Sequence, residues 1–263
     1  MTTRALTETR TAASSRGAVV CEIDNFDLAD FTRAAAEFGA TRYAYVVTAN
    51  VDHLIRLCED PSFRTLYQSA NYAVLDSRVV ALAMRFTKRM RLRVCTGSDL
   101  TAELLSRVVS ASDRLVVIGG SESQAKELAA RYSLANVRHH NPPMGFINDA
   151  QATDACLRFI EAQSPFRFCF LAVGSPQQEA IAQRLQLRGT ARGLVLCVGA
   201  SLNFLTGAER RAPRWMQRLG LEWLYRLLQN PGRLAHRYLV RGPRIFGHLL
   251  RGRLVIRPRT LRS

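Results

Sequence analysis

A carboxylate that closes a short apolar run is a candidate general base, and Asp76 is placed that way in Tyr72-Ala73-Val74-Leu75-Asp76-Ser77. At the mouth of a sheet such a group is partly desolvated, which raises its pKa and suits it to take a proton from a hydroxyl. The same position suits an N-cap for a following helix, since Asp is a favoured cap. Spacing alone leaves both readings open. Gly119-Gly120-Ser121 follows another apolar run and opens a helical pattern, so its backbone N–H groups fit a diphosphate or merely a tight turn. Gly174-Ser175-Pro176-Gln177-Gln178-Glu179 closes a third run, with Pro near the first helical turn and Gln178 aimed at the same crevice or simply starting a helix. The dinucleotide fingerprint, the P-loop and the hydrolase elbow are all missing. His53, His139, His140, His236 and His248 do not fall into metal-ligand spacing with the six scattered cysteines, and no D-x-D closes a strand. No metal or other cofactor is therefore expected. The cysteines lie mostly in apolar runs and read as buried free thiols of a reducing compartment.

These residues need a scaffold, and the pattern supplies one. Strand-like runs at 19–23, 42–48, 72–75, 114–118, 137–140, 168–173 and 194–198 alternate with helical segments, the first of which Asp27 caps and Gly39 stops. Short, continuously apolar strands separated by helices predict an α/β fold: a Rossmann-like, mostly parallel sheet with helices on both faces. Ligands of such sheets bind beyond the carboxyl ends of the strands. That rule gathers Thr48-Ala49-Asn50, Asp76, Gly119-Gly120 and residues 174–179 along one edge.

Charge divides the 263 residues unequally. The net charge is +16, yet residues 210–263 hold 14 of the 35 arginines and a single acid, Glu222, a net +13. Three regions are expected: a polar arm at 1–16, a sheet domain at 17–209 and a basic appendage at 210–263. Within 214–229, Trp215, Leu219, Trp223 and Leu227 recur every fourth residue opposite Arg214, Arg218 and Arg226, which predicts an amphipathic helix with a basic face. A polyanionic partner follows: lipid headgroups, a phosphorylated substrate or nucleic acid. Arg interleaved with Leu and Trp at helical spacing argues against nucleic acid, and no nucleic-acid partner is expected. No apolar run reaches the length of a membrane span. The N-terminus carries no signal-peptide core and is expected to remain in the cytoplasm.

Several motifs, taken in order, resemble those of the WecG/TagA/CpsF family of bacterial glycosyltransferases over about residues 19–246. They are Thr48-Ala49-Asn50, Asp76, Arg93-Val94-Cys95-Thr96-Gly97-Ser98-Asp99-Leu100, Ile118-Gly119-Gly120 and Val173-Gly174-Ser175-Pro176-Gln177-Gln178-Glu179. Arg210-Arg211-Ala212-Pro213-Arg214-Trp215 follows, then Gly220-Leu221-Glu222-Trp223-Leu224-Tyr225-Arg226-Leu227 with Pro231, Arg233, Arg237 and Tyr238. The resemblance implies a metal-independent, inverting transfer from a UDP-sugar to a saccharide on a polyprenyl diphosphate. The setting is exopolysaccharide or cell-envelope polysaccharide synthesis, or an N-acetylmannosamine or N-acetylmannosaminuronic acid transfer of the wall teichoic acid or common-antigen type. It also implies a cytoplasmic enzyme lying peripherally on the inner face of the membrane through 210–263. A homo-oligomer is compatible with it. It gives Asp76 the role of base and gives Thr48, Asn50, Arg93, Gly119, Gly120, Gln178, Asn203, Arg214, Arg226, Arg233 and Arg237 positions at the substrates. Two departures stand out: Asp76-Ser77 where the family usually has Asp-Gly, and Leu202-Asn203 where it usually has Phe-Asp.

Overall fold

The computed structural model describes residues 17–259, so the expected arm at 1–16 lies outside the described residues. Eight strands form among the described residues: β1 Val19–Asp24, β2 Tyr43–Ala49, β3 Tyr72–Leu75, β4 Leu115–Ile118, β5 Val137–His140, β6 Phe168–Leu171, β7 Gly193–Cys197 and β8 Leu254–Arg259. Six of them make one sheet in the order β3-β2-β7-β6-β4-β5, every pair parallel. This is the α/β sheet the apolar runs predict. Alternate side chains of each strand feed two core layers. On one face Tyr45 and Val47 of β2 pack with Leu54 and Ile55 of helix Val51–Glu59 and with Ile181 and Leu185 of helix Gln177–Arg188. On the other, Val46, Val117, Phe168 and Phe170 pack with Phe31 of helix Leu28–Phe38 and with Leu100 and Leu104 of helix Gly97–Arg107. Each such buried side chain contributes about 1.5–3 kcal/mol, so the sheet holds its carboxyl edge rigidly.

The chain after residue 210 departs from the expected single helix. Gly220 adopts φ +73° and separates helix Arg214–Arg218 from helix Glu222–Gln229. The turn lies against the side chains of Arg78, Val79 and Leu82, and a side chain at 220 would be strained by that backbone conformation. Helix Pro231–Ala235, a π-helical turn His236–Arg241 and helix Arg244–Leu250 follow. The last described element is β8, which pairs in parallel with β1, Val19 opposite Leu254. No strand is anticipated there, because Leu254–Arg259 mixes apolar residues with Arg and a proline. Ile245, Leu249, Leu254 and Ile256 join the core layer of Tyr45 and Val47. Asp24, at the end of β1, accepts the Ala73 N–H at 2.7 Å and so ties this two-stranded ribbon to β3. No helix among the described residues is long and apolar enough to cross a membrane.

Candidate active site

Ser77, the residue after Asp76, is the cap of helix Arg78–Lys88: its hydroxyl accepts the Val80 N–H at 3.2 Å. Asp76 is thereby left free of capping duty. Its own N–H donates to Ala49 O at 2.8 Å, which fixes it beside the end of β2. The carboxyl is half-buried and accepts the N–H of Gly97. Burial pushes it up to about 7; Glu222 and Asp99 push the same way, and the Gly97 bond and Arg226 oppose them. A carboxylate that titrates there at the mouth of a parallel sheet can accept a proton near neutral pH.

Two of those neighbours, Glu222 and Arg226, come from the tail helix Glu222–Gln229. Arg226 lies across the Phe204 ring at 5.2 Å, and its Nη2 is 3.6 Å from Glu209 Oε2. Glu209 also takes Arg233 at 3.1 Å and the Asn203 amide at 3.5 Å. Asn203 Oδ1 in turn accepts from Gln124 at 3.1 Å, which ties the turn after β4 to the tail. An aspartate at 203 would face Glu209 charge to charge, whereas the amide donates to it. That is a physical reason for the Leu202-Asn203 departure. On the far side of Asp76, Arg211 bridges the body and the tail: Nη1 donates to Asp99 Oδ1 at 2.5 Å and Nε lies 3.8 Å from Glu222. Against the cost of burial, Arg211 holds the Asp99 carboxyl below its ordinary range.

The remaining strand ends are held from within. The Thr48 hydroxyl donates to Cys197 O at 3.0 Å, joining β2 to β7. Asn50 caps helix Val51–Glu59 by accepting the His53 N–H at 3.1 Å. Gln178 is buried with both ends engaged: Oε1 accepts from Gly199 N at 2.9 Å and Nε2 donates to Glu179 at 2.8 Å. Beneath them His53, bonded to the Tyr67 hydroxyl at 2.7 Å, is driven by burial down to about 3 and is neutral. Burial likewise raises Glu179 to about 7. At Gly119, φ is +94° and a Cβ would come within 3.0 Å of the Ala172 carbonyl; the turn exists so that β4 and β6 can approach. The next helix, Glu122–Arg131, uses a capping box of Ser121 and Gln124. His139 meets the Gly119 and Gly120 carbonyls at 3.2 and 3.3 Å, and His140 stacks on Phe159.

The structure therefore brings Asp76, Arg226, Arg233 and Asn203 into one connected cluster, with Thr48, Asn50, Gly119, Gly120 and Gln178 framing it. Arg93 is engaged elsewhere, by Asp27 and Asp30 at the start of helix Leu28–Phe38. Arg214 is exposed on helix Arg214–Arg218. Arg237 acts on Asp52 and His53 from the π-helical turn. Asp99, Arg211 and Glu209 are not singled out by sequence reasoning. The only signal is that Asp99 and Arg211 stand inside the motif segments; Glu209 stands just before one. Among the described residues no three His, Cys, Asp or Glu side chains converge as a metal site requires. Compared with known families, residues 18–259 match the model of the glycosyl transferase WecG/TagA/CpsF family. With nearly the whole chain matched and the strand-end motifs along one edge of a parallel sheet, the protein belongs to the WecG/TagA/CpsF family of glycosyltransferases.

Proposed function

We propose that this glycosyltransferase moves the sugar of a UDP-sugar, with inversion at C1 and without a metal, to a hydroxyl of a saccharide carried on a polyprenyl diphosphate. The family places it in cell-envelope polysaccharide synthesis; exopolysaccharide assembly is the reading we favour, because Asn203 replaces the usual aspartate. The observation that carries the proposal is Asp76, freed from capping by Ser77 and held at about 7 in the crevice beyond β3. In the reaction the acceptor oxygen attacks C1 and gives its proton to Asp76, while the bond from C1 to the diphosphate oxygen breaks and its electron pair leaves with UDP. The charge that develops on the departing diphosphate needs cations. We assign that role to Arg226 and Arg233, which meet on Glu209. Residues 210–263 act as the appendage that closes this site and meets the membrane. Trp215, Leu219, Leu228, Leu239, Val240, Phe246 and Leu250 are exposed along it among the arginines, as an interfacial surface on an anionic leaflet requires.

The test is a panel of UDP-sugars with a short-chain polyprenyl-diphosphate acceptor, with products read by mass in the presence of EDTA. One UDP-sugar is expected to add one sugar mass. Absence of any added mass, or activity that appears only on adding magnesium or manganese, would contradict the proposal.

A further inference from the structure

Arg211 joins the two halves of the site. Besides the 2.5 Å bond to Asp99, its Nη2 lies 3.5 Å from Thr96 Oγ1. Thr96 is the cap of helix Gly97–Arg107: its hydroxyl accepts the Asp99 N–H at 3.2 Å and donates to Asp99 Oδ2 at 2.7 Å. The first N–H of that helix, Gly97, reaches the Asp76 carboxyl. In the other direction Arg211 Nε, buried and without a hydrogen bond, faces Glu222, the first residue of helix Glu222–Gln229. An unbroken line of contacts thus runs from the tail through Glu222, Arg211, Asp99, Thr96 and Gly97 to Asp76.

We propose that Arg211 is a positioning residue for the transfer: it seats the tail helix Glu222–Gln229 on the start of helix Gly97–Arg107 and thereby sets the surroundings of the Asp76 carboxyl. This rests on the reading of Asp76 as the base. The charged groups around Asp76 are Asp99 from helix Gly97–Arg107 and Arg211, Glu222 and Arg226 from the tail; Arg78 from helix Arg78–Lys88 acts on Asp99. Tyr67 and Cys95 also face it, and burial holds both neutral. Asp99 and Glu222 meet the Arg211 guanidinium, and its charge also acts on Asp76. Removing the cation makes Asp76 harder to ionise, and removing Glu222 makes it easier. A role confined to holding the fold would not move the base in opposite directions.

The experiment is the pH dependence of kcat/KM for the full-length protein and its R211Q, R211K, E222Q and D76N variants, with the active UDP-sugar and the short-chain acceptor. The wild-type acid limb is expected near pH 7. R211Q is expected to raise it by about half a pH unit or more, with lower turnover at pH 7, and E222Q to lower it. R211K, which keeps the charge but loses the fork, is expected to leave the limb near its wild-type position and to reduce kcat. If R211Q fails to fold, R211K and E222Q carry the test. An E222Q limb that is unmoved or raised overturns the proposal, as does an R211Q limb that is unmoved or lowered; in either case an inactive D76N leaves Asp76 as the base. If D76N instead keeps the wild-type profile, the base assignment itself fails.

Discussion

Phe168 and Phe170 in β6 expose nothing to solvent, whereas Trp215, Leu219, Leu228 and Leu250 in the tail each expose 60% or more of their surface. The two regions are held by different forces. The sheet closes around continuous apolar strands. The tail is pinned largely by charge: Arg241 on Asp52 at 3.3 Å and Glu59 at 3.5 Å, Arg244 on Glu59 at 3.4 Å, Arg226 and Arg233 on Glu209, and Arg211 on Asp99. Much of the tail's positive charge is thus spent on acids of the body, and its large apolar side chains are left facing outward. A region built this way leaves apolar side chains exposed while Arg226 and Arg233 stay on Glu209 and Arg211 on Asp99. The exception is its last stretch, where Ile245, Leu249, Leu254 and Ile256 re-enter the core.

That contrast sets a scale of expected losses. Phe170→Ala, in the sheet, should cost about 3–5 kcal/mol in urea unfolding, the usual range for a buried aromatic. Ile245→Ala should cost about 2–5 kcal/mol and lower the same single transition. A separate early transition in that variant would show that the tail is not part of the core. Asp76→Asn should instead stabilise. A carboxyl whose folded pKa is raised to about 7 adds stability that is complete below about pH 4 and is lost as pH rises through 7. Removing the charge at pH 8 should therefore recover about 1 kcal/mol, discounted for its partial exposure, or ~2–4 °C in Tm. A lower Tm for D76N at pH 8 would contradict the burial argument. Glu59→Gln, which removes the shared partner of Arg241 and Arg244, should cost less than about 1 kcal/mol and lose its effect at high salt. A larger, salt-independent cost would mean that the tail is not pinned by exposed charge.

Five strands of the main sheet were legible because continuous apolar runs admit few other structures, while the edge strand β5, Val137-Arg138-His139-His140, was legible only from its place between two helical segments. β8 was not, since Arg257 and Pro258 interrupt its pattern and only pairing with β1, more than two hundred residues away, makes it a strand. The break at Gly220 was hidden because Trp215, Leu219, Trp223 and Leu227 keep helical spacing across it. At the site, the role of Asp76 was ambiguous because Asp76 and Ser77 are both good caps; only the Ser77 bond to Val80 decides between them. The bonds of Gln178 to Gly199 and Glu179 were not legible, because they depend on where β7 and helix Gln177–Arg188 meet. The Glu222–Arg211–Asp99 line depends on tertiary contacts across 112 residues of sequence, which no local pattern encodes.

We propose Asp76 as the group that takes the proton in the transfer. The most direct test is turnover of D76N at saturating UDP-sugar and short-chain acceptor, measured beside UDP affinity and Tm. Turnover should fall by about 10²-fold or more while UDP binding and the fold are retained. A D76N enzyme that turns over at close to the wild-type rate would contradict the account.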